Sequence, residues 1–488
     1  MDKSSYDLGV RIAKSGAWVF SMRFVHQVFY LGRLIILARL LAPRDFGLMG
    51  IALLTMMTLE TFSQTGFQQA LIQKKENIKD YLDAAWTVLV IRGLVLFSII
   101  VLIAPLVAKF FETPQAKGVV QAIGLAVLIQ AFTNVGVIYF QKELEFHKQF
   151  IYITAGTITD FAVAVTAAFL LRSVWALLFG LIAGKLTQLI VSYIIHPYNP
   201  KISLDFNKFR ELFRFGRWVL GSSILIFLIT QGDDLLVGKI LGVTMLGFYQ
   251  MAYRFSNTPA TEITHVISSV AYPAYSKLQE NLDKLRDAYF RVMKVVSFLT
   301  FPLSVAIFVL ARDFVVLFMG EKWSPMIPAM RILAFAGLFR SIAAISGPLF
   351  LSIGKPKIDT KMQAIRFCII AVFIYPFIKN WGIEGASWVI VGSIFITLLV
   401  ILKIASRLLS IPYSPGFFIS IGIPMLNSIV AGLIVLIVKY FLSQSYWTFT
   451  LLIIVGAGAY IIMVYFTEMI FQYRIFPILK ESYQALRK

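Results

Sequence analysis

The chain has 488 residues, 59% of them hydrophobic and 14% charged, with a mean hydropathy of +0.80 and a net charge of +20. A water-soluble globule of this length needs more polar surface, and lipid-facing barrel strands would alternate in polarity where these apolar segments do not, so both classes are excluded. Lys and Arg cluster in short connections beside apolar segments, so the basic balance reads as membrane topology and not as nucleic-acid binding.

The first residues, MDKSSYDLGVRIAK, are polar and lack a short apolar core followed by a small-residue cleavage site, so no removable signal peptide is expected. Apolar windows long enough to cross hydrocarbon then recur along the chain. They predict an all-α polytopic membrane protein of about 14 transmembrane helices. The spans fall at roughly 15–40, 46–70, 84–110, 118–140, 149–171, 174–196, 215–240, 246–275, 292–318, 328–351, 361–380, 384–406, 416–441 and 446–471. Connections are short, and none can fold as a domain. Cys368 stands alone in an apolar run, which leaves no internal disulfide.

Orientation follows from the basic residues. If the N-terminus and every second connection lie on one side, that side collects Lys3, Lys74, Lys142, Lys208, Arg286, Lys357, Lys403, Lys480 and their basic neighbours, twenty-six of the 45 Lys and Arg in all. The other side collects ten, and nine lie within spans. The positive-inside rule then puts both termini in the cytoplasm of a multi-pass protein of the cytoplasmic (inner) membrane.

The chain also echoes itself at an offset of two hundred positions. Gly16, Trp18 and Val19 meet Gly216, Trp218 and Val219, and Gly32 meets Gly232. LARLLAPRDFGLMGIA (37–52) meets VGKILGVTMLGFYQMA (237–252) without a gap, matching Leu41, Gly47 and Ala52 to Leu241, Gly247 and Ala252. An even number of intervening spans makes this a parallel repeat, an architecture of transporters that hold substrate between two halves. The expected organisation is an N-terminal six-helix lobe (1–200), a C-terminal six-helix lobe (201–410), and an appended helix pair with a cytoplasmic tail (411–488).

Several segments carry a family resemblance: RLLAPRDFGLMGIA with TGFQQALIQKK (39–75), DDLLVGKILGVTMLGFYQMAYR (233–254), VAYPAYSKL (270–278), MGEKWSPMIPAMRIL (319–333), LSIGKPK (351–357) and WGIEGASW (381–388). In order and spacing they resemble the polysaccharide-export branch of the multidrug/oligosaccharidyl-lipid/polysaccharide exporter superfamily, the Wzx-type and colanic-acid-exporter-like flippases. The resemblance implies a two-lobe transporter working by alternating access on a polyprenyl-diphosphate-linked oligosaccharide within membrane lipid. It further implies an ion gradient, H+ or Na+, as driving force, and a role for the last two spans in accommodating the lipid tail. Polysaccharide polymerases and glycosyltransferases are the expected neighbours.

A charge at bilayer depth costs about 3 kcal/mol or more unless it faces water or a partner, so charges inside spans are informative. The basic ones are Arg23, Arg33, Arg92, Lys185, Arg217, Arg254, Arg331, Arg340 and Arg366; the acidic ones are Glu60, Asp160, Asp233, Asp234, Glu262 and Glu468. The excess is positive, which suits a diphosphate. Because the resemblance implies that spans 1, 2, 7 and 8 line the cleft, Arg23, Arg33 and Arg254 lead the substrate candidates, followed by Arg340 and Arg92. Near span ends, Arg217, Arg331 and Arg366 are expected to snorkel.

The repeat puts Asp233 in the slot that Arg33 occupies in the first copy. Two readings stand for Asp233 and Asp234: a bridge to Arg33 that closes an outer gate, or an Asp234–Arg254 pair within one lobe. Glu60, Asp160, Glu262 and His265 are candidate ion-coupling sites, although a polar pair such as Glu262 and His265, on one helix face at i, i+3, also serves as interhelical glue. No Gly-rich loop ending in Lys-Ser/Thr is present, and the four histidines lack metal-ligand spacing, so neither an ATP-driven pump nor a metal or other cofactor is expected. Two rivals remain. A small-cation efflux antiporter of the same superfamily would favour an acidic and aromatic cleft, and a membrane-bound polymerase or ligase would favour a long extracytoplasmic loop.

Overall fold

The computed structural model describes residues 3–64, 79–143, 145–203, 206–410, 415–471, 473, 475–478 and 480, with side chains described at these positions except 3–17, 20, 79–80, 206–222, 258–259, 265–266, 269–270 and 415. Among the described residues every regular element is a helix. That is the solution hydrocarbon imposes, since a helix satisfies its backbone groups within one segment.

In chain order the first half runs α1 (Lys3–Leu40), α2 (Pro43–Phe62), α3 (Lys79–Phe110), α4 (Ala116–Ala131), α5 (Ile138–Lys142), α6 (Phe146–Leu171), α7 (Val174–Ile195) and α8 (Phe206–Leu241). The second half runs α9 (Val243–Leu278), α10 (Leu282–Phe314), α11 (Ile327–Ala344), α12 (Ser346–Ser352), α13 (Lys357–Leu408), α14 (Ile423–Tyr440) and α15 (Tyr446–Phe471). Nine described helices are long and apolar enough to cross a membrane, or ten if one bent pair counts as a span. The 38 residues of α1 and the 36 each of α8 and α9 are long enough but interrupted by charges such as Arg33, Asp233 and Arg254. In α13 two helices meet at Gly382, whose φ of 57° only glycine adopts cheaply. These helices accommodate fourteen crossings without fixing that number.

The fourth expected span, 118–140, is not straight. It breaks after α4 and bends by 71° into residues 135–142. Asn134 makes the break: its Oδ1 accepts from the Gly136 N–H at 2.9 Å, and its Nδ2 donates to the Tyr198 carbonyl at 2.6 Å. Its own N–H donates to Ser192 Oγ at 3.1 Å. A side chain that satisfies turn donors competes with continued helix, and here it wins. The 196–203 connection is pinned alongside, where the Tyr198 hydroxyl donates to Asp83 and the Ser203 N–H to Thr87 Oγ1 at 2.9 Å. Burial and the Asp83 carboxylate push the Tyr198 phenol well above its ordinary range, which keeps it the donor.

Two compact units result, Met1–Gly247 and Phe248–Lys488. The first unit therefore takes in α8, which packs on α2 and α3. Phe62 of α2 meets Phe227 of α8 edge-on at 6.3 Å. The second unit has its core where α9, α10, α12 and α13 converge on Tyr275, Tyr289, Met293, Leu349 and Phe350, with the Tyr289 hydroxyl bonded to Ser346 Oγ at 2.8 Å.

Within the first unit, residues matched by the repeat meet each other. A Cβ on Gly47 would lie 1.8 Å from the Val243 carbonyl oxygen, and one on Gly247 would lie 2.1 Å from the Pro43 carbonyl oxygen. Positions 43 and 47 thus lie against 243 and 247. Both approaches are against backbone, so neither can relax cheaply. We predict that Gly47→Ala and Gly247→Ala each lower the thermal unfolding midpoint of the purified protein, by the equivalent of about 1–3 kcal/mol for an overpacked contact. At Gly392 a Cβ would meet nothing within 4 Å, so Gly392→Ala should leave the midpoint unchanged or raise it slightly. Equal behaviour of the three variants would contradict the close approach.

Candidate functional site: a cationic pocket in the first unit

Three helices of the first unit converge on a pocket of about 160 Å³. On α1, His26, Tyr30 and Arg33 recur at helical spacing and share one face. Thr157 and Asp160 on α6 and Lys185 and Gln188 on α7 complete the polar wall. What lets these helices meet is a run of small residues. Gly180 and Gly184, four apart on α7, press on α6: a Cβ on Gly184 would lie 2.9 Å from both the Asp160 Cβ and the Gly156 carbonyl. A Cβ on Gly180 would lie 2.5 Å from the Ala164 Cβ. Small-xxx-small spacing is how helices approach closely in lipid, where burial of apolar surface gives them no drive to associate.

The closeness brings opposite charges together. Arg33 Nη2 lies 3.1 Å from Asp160 Oδ1 and donates to the Leu177 carbonyl at 3.3 Å. The pair is mostly buried, with side-chain exposures of 15% and 24%. Lys185 shares the pocket, so two cations face one carboxylate, and His26 stacks on Tyr30 at 6.2 Å beside them. Among the pocket's lining residues two cations stand against one carboxylate with histidine neutral, and Lys185 also interacts with the Glu60 carboxylate of α2. Such a site attracts anions, and its guanidinium fork matches carboxylate or phosphate oxygens.

Of the sequence candidates, Arg33 and Asp160 are the two brought together here. The role of Lys185 was not legible from the chain, where it was one of nine intramembrane cations. Its only local signal is that it follows Gly184, the glycine that lets α6 approach. Arg92 is placed elsewhere: its Nε donates to the Ser63 carbonyl and hydroxyl at 2.9 and 3.1 Å, and its Nη2 to the Glu60 carbonyl at 2.9 Å. That guanidinium caps the C-terminus of α2, where a cation complements the helix dipole.

Among the described residues the remaining candidates do not line this pocket. Arg23 is exposed on α1 next to exposed Phe24. Asp233 is buried in α8 at 3% exposure, and Asp234 beside it is half-buried. In the second unit Arg340 Nη2 donates to the Tyr253 hydroxyl at 2.5 Å, and the guanidinium lies 5.6 Å over that ring, which ties α11 to α9. Arg254 and Glu262 are half-buried on α9, and the His265 side chain lies outside the described residues.

An apolar groove of about 330 Å³ runs between α10, α14 and α15 in the second unit, lined by Pro302, Val305, Ala431, Gly432, Gly456 and Tyr460. Gly432 opens it, since a Cβ there would lie 2.5 Å from Val305 Cγ1. The groove is framed by two ties. The Tyr460 hydroxyl donates to the Phe298 carbonyl at 2.9 Å, and Lys439 pairs with Asp313.

Removing one member of the Arg33–Asp160 pair leaves the other charge without its counter-ion. Arg33→Leu or Asp160→Leu should each cost about 1–3 kcal/mol of stability. The exchanged double variant Arg33→Asp with Asp160→Arg should recover part of the thermal midpoint. A double variant no better than the worse single one would contradict the pairing.

A model of the family described as Polysaccharide biosynthesis protein matches residues 36–328. Over 366 residues the chain is 26% identical to the lipopolysaccharide biosynthesis protein WzxC of Escherichia coli (strain K12), covering 75% of this chain and 74% of that one. It is 23% identical to the succinoglycan biosynthesis transport protein ExoT of Rhizobium meliloti (strain 1021), covering 82% and 81%. In structure it resembles lipid II flippase MurJ in an inward closed conformation, with a TM-score of 0.77 at 14% identity over 93% of this chain and 98% of that one. At that identity the likeness establishes the fold alone.

Proposed function

Because the chain belongs to the polysaccharide biosynthesis protein family, we propose that it is a flippase for a polyprenyl-diphosphate-linked oligosaccharide. It carries this cargo, the repeat unit of a lipopolysaccharide, exopolysaccharide or capsule, from the inner to the outer leaflet of the cytoplasmic membrane by alternating access. It is a transporter and not an enzyme. The observation that carries the reading is the pocket in which Arg33 and Lys185 outnumber Asp160. A diphosphate entering a partly dry site needs cations that stay ionised, and guanidinium does so more reliably than any other side chain. A cationic drug would be repelled by the same surplus.

The groove between α10, α14 and α15 supplies the second requirement, an apolar surface along which a polyprenyl chain can lie. Arg23 and Arg254 would meet the headgroup on its way, and Arg340 would act through Tyr253. The excess of Lys and Arg in alternate connections supports cytoplasmic termini. The division into lobes 1–200 and 201–410 with an appended pair from 411 rests on the internal repeat.

Coupling follows from competition. Phosphate bound at Arg33 weakens the Arg33–Asp160 pair, and a proton or sodium ion arriving at Asp160 compensates the carboxylate left behind. A ligand shifts a conformational equilibrium only through such differential contact. Glu60, Glu262 and His265 are further candidates for the ion. Asp233 and Asp234 remain the proposed gate, with Arg33 or Arg254 as partner.

Purified protein in liposomes should move a labelled polyprenyl-diphosphate sugar between leaflets. Lys185→Gln should slow that movement about tenfold or more at an unchanged thermal midpoint, and Arg33→Gln should slow it as much with the lowered midpoint that follows from breaking the Arg33–Asp160 pair. A wild-type protein that leaves the label in its original leaflet would overturn the reading.

A further inference from the structure

The 71° break after α4 opens a second cavity in the first unit, about 600 Å³ in volume, between the end of α2, α3, the break itself and the first turns of α6. It is larger than the cationic pocket and of different chemistry. Its polar wall is mainly amide and hydroxyl, from Gln130, Gln141, Gln149, Thr133 and Tyr152, with the Glu60 carboxylate lining it beside Arg92. The one guanidinium at its edge, Arg92, spends its Nε and Nη2 on the carbonyls that end α2. Gln149 Oε1 is buried with no hydrogen-bond partner among the described residues.

None of these glutamines is needed to make the bend, because Asn134 and Ser192 already satisfy the turn. A buried amide oxygen without a partner, such as Gln149 Oε1, is costly unless it meets water or a polar ligand. An amide both donates and accepts, and so does each hydroxyl of a sugar. A phosphate would call for donors alone, and a polyprenyl tail for an apolar wall. The volume falls within the range of small-molecule sites. Tyr152 lines it too, offering a ring face to the C–H side of a pyranose, whereas Phe140 is fully buried.

We propose that this cavity is a carbohydrate subsite, holding one or two uncharged sugar residues of the cargo through the amides of Gln130, Gln141 and Gln149. It acts separately from the cationic pocket that takes the diphosphate. The inference rests on the flippase reading, and the test is arranged so that the two fail differently.

Liposomes containing the full chain are given two labelled probes, a polyprenyl diphosphate bearing a neutral disaccharide and the same polyprenyl diphosphate without sugar. Gln130→Leu with Gln149→Leu should slow the sugar-bearing probe about tenfold relative to wild type and leave the sugar-free probe unchanged. Gln149→Asn, which keeps an amide, should fall between. Equal slowing of both probes, or of neither, overturns the subsite and marks the cavity as a hydrated bend only. If wild-type protein moves neither probe, it is the flippase reading that fails.

Discussion

The constraint behind this structure is the cost of holding charge in hydrocarbon. Arg33 and Asp160 bear that cost together where α1 packs on α6, while Gly156, Gly180 and Gly184 let α7 close on α6 beside them. Two backbones in lipid gain little from burying apolar surface against each other, so small residues and polar links take over the role of a hydrophobic core. Lys185 adds a second cation beside that pair and interacts with the Glu60 carboxylate as well, so the pocket is a charged cluster and not a single bridge.

The cargo implied by the family has three chemistries in one molecule: a diphosphate, a sugar and a long hydrocarbon. In the proposed reading each chemistry meets a surface of its own. The cationic pocket and the amide-lined cavity lie in the first unit, and the apolar groove lies in the second. Each is built by a local departure from regular helix packing. The glycine crossing of α6 and α7 makes the first, the Asn134 break the second and Gly432 on α14 the third. Function enters this fold where a regular bundle is interrupted.

Much of the architecture was legible in the sequence, because hydrocarbon admits few solutions and long apolar runs announce themselves. Gly47 and Gly247, two hundred positions apart, meet each other's neighbouring turns. The pairing of Arg33 with Asp160 could not be read, because no periodicity relates positions 127 residues apart; the repeat pointed from Arg33 to Asp233 instead. Arg92 looked like a ligand for phosphate and is found capping α2, since a sequence shows that a charge is intramembrane but not which helix end lies beside it. The bend after α4 was missed for a related reason. Thr133 and Asn134 sit in an apolar stretch whose hydropathy is that of an unbroken span, and their effect depends on Ser192 and Tyr198 arriving from far along the chain.

The most direct measurement is the affinity of the purified protein for a polyprenyl-diphosphate sugar with and without the Asp160 charge. If Asp160 competes with phosphate for Arg33, Asp160→Asn should bind the lipid more tightly than wild type, by about tenfold for one released charge-assisted contact, while transporting it more slowly. Binding unchanged or weakened in Asp160→Asn would contradict the account.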